Sequence, residues 1–308
     1  RIHGHAGGSG NTDDFDPASA DPMVWTRGVT RFLDLFDRVG VQATFFVVAQ
    51  DLANRDVQAV LRECVAAGHE IGNHSATHPY DLSRQSVQAM QVEVGDARKR
   101  LEDFCGVPVT GFRAPGYVTS PALLEAVVSS GHIYDSSRFP CPSYQAAKAA
   151  FIAVYRLRGR PSGSIAEGPG VWLGPTEPYI ERTASGRALL ELPVGVLPLL
   201  RLPFIGTSVI AFGRAGQVAT APLQARAGWL NFELHAIDLL DHHGDGLPAR
   251  LLAQPDQRVP LARKWPLLLR TLEAMIGSHQ VRTLAGWTSA WFAAEDGPSA
   301  GAAGSPPN

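Results

Sequence analysis

Four groups of side chains in this sequence could do chemistry, and they lie far apart along the chain. The stretch HEIGNHSATH, residues 69–78, holds three of the ten histidines. His74 and His78 are four residues apart, a spacing that puts both rings on one face of a helical turn. The same spacing lets two imidazoles reach one metal ion, and two His with one carboxylate leave positions open for water and substrate. The plainer alternative is a pair of hydrogen-bonded structural histidines. His69, on the approach to the pair, reads as structural.

Asp13 and Asp14, in NTDDFDP, are either part of a turn, since Asn, Asp and Pro are turn residues, or a divided pair. In the second case one carboxylate sits on a cation and the other is free to take a proton. In GFRAPGY, residues 111–117, Arg113 at a strand end could grip a carboxylate through two parallel hydrogen bonds. The Pro115-Gly116 turn could then present backbone N–H groups to a developing oxyanion. An ordinary strand exit with a surface arginine is the alternative. His235 closes the apolar run WLNFEL and is either a buried structural histidine or, at the mouth of a barrel, a proton donor to a leaving amine. Asp238 could orient it, or be a solvated loop acid.

The elements that must position these groups alternate as βα units. Residues 29–39, 56–67, 82–104, 121–130 and 261–276 carry helical patterning, with Gly40 and Gly68 as stops. VQATFFVVA, EIGNH, VTGFR, HIYDSS, LLELPV, WLNFELH and VRTL are the strand candidates. About seven strands alternating with helices predict one α/β domain, a distorted (β/α) barrel, over residues 1–294. The stretch from about 139 to 189, rich in Gly, Pro and Ser, is expected to build loops over one face, and residues 295–308 a disordered tail. In such barrels functional groups gather at the C-terminal ends of strands, where the histidine pair, Arg113, Asp135 and His235 would all fall.

Composition narrows the partners. With 45% hydrophobic residues and a net charge of -2, the 308-residue chain can bury a sizeable core but offers no electrostatic footprint for nucleic acid. No apolar run is long enough to span a membrane, and no basic membrane-surface helix stands out. Cys64, Cys105 and Cys141 show no CxxC pairing and read as buried thiols. No export signal is visible at the start, so the expectation is a cytoplasmic protein.

TDDF, ATFFVV, GHEIGNHSATHP, FRAPGY and ELHAID, taken in this order, resemble the motif series of the NodB-type polysaccharide deacetylases, carbohydrate esterase family 4. The resemblance runs from about residue 12 to 238. It implies a NodB-homology barrel with a divalent metal, usually zinc and alternatively cobalt. Carried over residue by residue, it implies that Asp14, His74 and His78 bind the metal, that Asp13 is the general base and that Arg113 holds Asp13. A backbone N–H near Gly116 or Tyr117 would complete the oxyanion hole, and His235 would be the general acid. Phe15 follows the aspartates where the common form has Gly, and the residues before Asp13 lack the pattern of an apolar strand. Asp16 therefore stands as an alternative for base or ligand. The family's Asp-Trp element that supports the catalytic His is not evident, and Asp135 stays outside the predicted site.

The implied activity is removal of an N-acetyl group from an amino sugar, with a carbohydrate or small amide as partner. Two further readings compete with it. One is deacylation of a lipid-linked or small amino sugar, or opening of a cyclic amide, with VLPLLRLPFIG shaping the pocket. The other is a non-catalytic barrel that binds sugar.

Overall fold

Thr44–Val47 (TFFV) forms the first strand, β1, because β-branched and aromatic side chains pack best on a pleated surface covered on both faces. The computed structural model describes residues 22–157, 165 and 169–295. Asp13, Asp14, Asp16 and the tail after Glu295 lie outside the described residues.

Helix α1, Thr30–Val39, buries Phe32, Leu35 and Phe36 and stops where Gly40 turns left-handed at φ 66°. Helix α2, Arg55–Ala66, is started by Asn54, whose side chain accepts from the N–H groups of Asp56 and Val57. Strands β2 (Glu70–Asn73), β3 (Gly111–Phe112), β4 (Tyr134–Asp135), β5 (Tyr179–Arg182) and β6 (Ala188–Glu191) complete a sheet ordered β1-β2-β3-β4-β6-β5. All neighbours pair in parallel except β5 with β6.

The register positions the chemistry. Val47 pairs with Asn73, Asn73 with Phe112, Phe112 with Asp135 and Asp135 with Glu191. The strands therefore end on one line, and His74 and Arg113 stand one residue past it. Phe112 on that line is fully buried, and truncating such a ring to Ala costs about 3–5 kcal/mol.

Glu70, at the opposite end of β2, accepts hydrogen bonds from Thr44 Oγ1 (2.6 Å), Tyr134 OH (2.6 Å) and the backbone N–H of Ala285 (2.8 Å). It thereby ties three parts of the sheet's lower rim together, including the start of the last helix. Cys64 and Cys141 are buried free thiols and Cys105 is half-buried. Burial pushes the Cys64 thiol up to about 12.

Several expected elements take another form. Residues 82–104 are a 3-10 turn (Leu82–Arg84) followed by α3 (Val87–Gln91), a π-turn (Val92–Asp96) and α4 (Ala97–Cys105). The helix begins where Ser86 caps Ala89 N, and it widens where Glu93 reaches across to the His74–His78 loop. After α5 (Pro121–Ser129), the stretch read as loops contains α6, Pro142–Leu157, together with α7 (Pro169–Trp172) and β5. Its Ala-rich YQAAKAAF run favours helix, a signal lost when Gly, Pro and Ser are averaged over 139–189.

WLNFELH is extended without joining the ladder. Its backbone carbonyls at Asn231 and Glu233 take the N–H groups of Gly195 and Gly206, and it makes a single bridge to Ile205. VRTL is not a strand either, because the N–H of Leu284 turns to Thr44 Oγ1 to open the last helix, α11 (Leu284–Glu295). Helix α8 (Gly206–Ala225) precedes WLNFELH, and α9 (His242–Asp245) and α10 (Leu261–Ser278) run between it and VRTL. No helix among the described residues is long and apolar enough to cross a membrane.

Candidate active site

His74 leaves β2 with its backbone N–H still on Val47 O, at 2.9 Å. Its Nδ1 lies 2.7 Å from the carbonyl oxygen of Arg113. A carbonyl only accepts, so Nδ1 carries the proton and Nε2 keeps its lone pair. Loss of hydration in the cleft wall pushes the ring's pKa down to about 3, so at neutral pH the imidazole is uncharged, the form that binds metal.

His78 reaches the same place by a loop, not by the helical turn that its spacing suggested. Ser75 and His78 both adopt left-handed backbone, at φ 70° and 66°. That folds the loop back until the His78 ring meets the His74 ring edge to face, with centroids 4.7 Å apart. Tyr80 packs perpendicular to His78 at 5.0 Å.

The residues between the histidines hold this loop in shape. Asn73 accepts from Ser75 N at 2.9 Å and donates to Val94 O at 2.8 Å, with His132 Nε2 at 3.2 Å. Ser75 Oγ accepts from His78 N at 2.9 Å. Glu93 accepts from the backbone N–H of Ala76 and Thr77 and from the Thr77 hydroxyl.

Arg113 is buried at the end of β3. Its guanidinium donates to Ser136 O (2.8 Å) and Ser136 Oγ (2.7 Å), lies over the Phe46 ring at 4.4 Å and pairs with Glu233 Oε1 at 3.4 Å. The described partner of Arg113 is therefore Glu233, while Asp13 lies outside the described residues. Gly116 supplies φ 66° in the following turn, where a Cβ would sit 3.0 Å from the Tyr80 ring. Tyr117 N donates to Ala114 O at 3.1 Å, so that N–H is engaged within the turn. The Tyr117 side chain instead gives its hydroxyl proton to Glu233 Oε1 at 2.5 Å. Burial, aided by the Glu233 charge, holds this phenol well above its usual range, so it remains a donor.

Glu233 is the residue that sequence reasoning missed. Its side chain is 6% exposed, and His235 Nε2 lies 3.8 Å from Oε1, while Oε2 is buried with no hydrogen-bond partner among the described residues. The signal was present: in an extended segment residues i and i+2 share a face, and Glu233 is the acid two before His235. Asp238 is buried rather than solvated, and it accepts from the backbone N–H of His235 at 2.9 Å. Burial pushes its carboxyl up to about 6.

His74, His78, Arg113, Gly116, Tyr117 and His235 all line one cleft of about 980 Å³, a volume suited to a small ligand or one or two sugar rings. Two histidines, one of them with its tautomer fixed by a backbone carbonyl, suit a zinc-type ion. Among the described residues no group of three or more His, Cys, Asp or Glu forms around them. Asp14, the expected third ligand, is outside the described residues.

Residues 14–134 match the family model for polysaccharide deacetylases. Over these residues, less than half of its length, the chain is similar to the polysaccharide deacetylases. A peptidoglycan deacetylase of Helicobacter pylori is 27% identical over 136 residues, 44% of this chain and 45% of that protein. A chitooligosaccharide deacetylase of Bradyrhizobium is 40% identical over 73 residues, covering 24% of this chain and 32% of the relative. The chain thus spans less than half the length of these deacetylases. A Mycobacterium smegmatis structure solved as a candidate polysaccharide deacetylase superposes with a TM-score of 0.54 at 19% identity, covering 89% of this chain and 79% of that one. PuuE allantoinase gives 0.52 at 18% identity, covering 86% and 72%. At those identities the likeness speaks for the fold, the distorted (β/α) barrel. His235 and Glu233 lie beyond the deacetylase family match.

Proposed function

We propose that the chain is a metal-dependent amide hydrolase that removes the N-acetyl group from an amino sugar in an oligosaccharide or polysaccharide. The observation that carries this reading is the convergence of a tautomer-locked His74, His78, and the Arg113–Glu233–His235 array on one cleft at the strand ends. His74, His78 and Asp14 would hold the ion, zinc or cobalt. A bound divalent ion would polarise the amide carbonyl and lower the pKa of the attacking water.

The protein's own groups take the remaining roles. Asp13 accepts the proton of the attacking water. The turn at Gly116, which lines the cleft, would face the carbonyl oxygen as it develops charge. His235, with Glu233 behind it, gives a proton to the departing nitrogen, and amine and acetate leave. The test is acetate release from chitin oligomers by zinc- or cobalt-loaded protein, with the activity lost in Asp13→Asn. Failure of the metal-loaded protein to release acetate from any N-acetylated oligosaccharide refutes the reading.

A further inference from the structure

From residue 192 to residue 232 the sequence contains no Asp, Glu or Lys, and its only charges are Arg201, Arg214 and Arg226. Such a composition suits a buried core, yet much of the segment faces outward. Leu199 is 90% exposed, Leu200 64%, Phe212 69% and Val218 66%.

The leucines are held out by a tight turn. Val196 and Pro203 form an antiparallel bridge, and Leu197 N donates to Leu202 O at 2.9 Å. At the tip Leu199 and Arg201 adopt left-handed backbone, at φ 65° and 47°, conformations that side-chain-bearing residues keep only when their surroundings impose them. Arg201 Nη1 donates to Gly174 O at 2.8 Å, which draws in the neighbouring Leu173, 68% exposed.

Helix α8 continues the surface. Its inner side packs on α10, where Gln217 Nε2 donates to Leu267 O and Thr271 Oγ1. The helix breaks at Gly213 (φ 60°), with Phe212 exposed before the break and Arg214, Ala215, Val218 and Ala219 exposed after it, whereas a helix that meets water ordinarily carries charges of both signs. Thr207, Ser208, Ala211 and Phe212 also line the candidate active-site cleft, so this surface forms part of its rim.

A broad exposed apolar surface marks an interaction site. Exposed apolar side chains at a turn and along a helix, in a segment whose own charges are all arginine, match the surface of an anionic bilayer. We propose that this face docks the protein on an anionic lipid membrane. Leu199, Leu200 and Phe212 enter the boundary between headgroups and acyl chains, and Arg214 and Arg226 lie at the phosphates. The mouth of the cleft is then held at the membrane surface. This docking requires neither metal nor hydrolysis, so it stands or falls separately from the proposed activity.

The test is co-sedimentation of the protein with phosphatidylglycerol/phosphatidylcholine vesicles, compared with phosphatidylcholine vesicles. At roughly fivefold per arginine near an anionic surface, Arg214 and Arg226 give about twenty-five-fold stronger partitioning into the anionic vesicles, and added salt weakens it. The variants Leu199→Glu/Leu200→Glu and Phe212→Glu lose binding while keeping the thermal midpoint, since these side chains are exposed. Val87→Glu, on an exposed apolar position outside this segment, retains it. Equal partitioning into both vesicle types, or no binding to either, overturns the proposal. So does a dimer in light scattering that the same Glu variants dissociate, because the face would then belong to a second copy of the chain.

Discussion

His74 donates its Nδ1 proton to the backbone carbonyl of Arg113, 2.7 Å away. One bond thus couples the orientation of a candidate metal ligand to the end of β3, where Arg113 begins its own contacts with Ser136 and Glu233. Because the acceptor is main chain, no side-chain substitution at residue 113 removes it directly.

Replacing His74 with Ala is expected to weaken zinc binding by more than about hundredfold, since loss of an outer partner alone costs about 10–100-fold. Isothermal titration of metal-free protein reads this without any activity assay. The His78→Ala variant behaves alike, and unchanged affinity in both would remove the histidines from the metal site.

Glu233→Gln keeps the shape but removes the charge between Arg113, Tyr117 and His235. Each charge-assisted hydrogen bond lost or weakened costs about 1–3 kcal/mol, measurable by urea unfolding. If Glu233 positions His235, kcat also falls by about tenfold or more, part of the 10²–10⁴ that a general acid supplies, with KM little changed. A loss confined to stability would leave Glu233 a structural residue.

Asn73→Ala leaves the N–H of Ser75 and the carbonyl of Val94 without their side-chain partner inside the core. At about 1–3 kcal/mol for each stranded buried group, unfolding should become easier by about 3 kcal/mol. The loop that brings His78 to His74 should loosen as well, so metal affinity falls although no ligand has been touched.

His132 is 2% exposed, and burial pushes its pKa from 6.5 down to about 4. Between those values the unfolded chain binds a proton that the folded protein refuses, so stability falls as pH drops from 6.5 towards 4. The whole effect is about 3 kcal/mol. Asp238, raised to about 6, acts in the opposite sense over pH 3.8 to 6. The contribution of His132 is therefore read from wild type minus His132→Gln in urea titrations across this range. A difference independent of pH would contradict the assignment.

Local patterning disclosed the elements whose stabilising contacts are apolar and periodic, such as α1, α2, β1 and β2. It misread those set by distant polar partners. WLNFELH has the alternating apolar and aromatic look of a strand, but its hydrogen bonds run to Gly195 and Gly206, which no local pattern reveals. His74 and His78 were legible as a pair, yet the left-handed backbone at Ser75 and His78 that joins them was not. Glu233 hid in an apolar run because hydrophobicity was read along the segment rather than by face. Its meaning depends on Arg113 and Tyr117, more than a hundred residues away in sequence.

The bond from Ala285 N to Glu70 Oε2 spans 215 residues. During synthesis at about 5–20 residues per second, Glu70 waits about ten to forty seconds for the partner that closes the lower rim of the sheet. Both histidines of the candidate site emerge from the ribosome long before that partner exists. Until α11 has been made, Glu70 can hold only Thr44 and Tyr134 at the lower rim of the sheet.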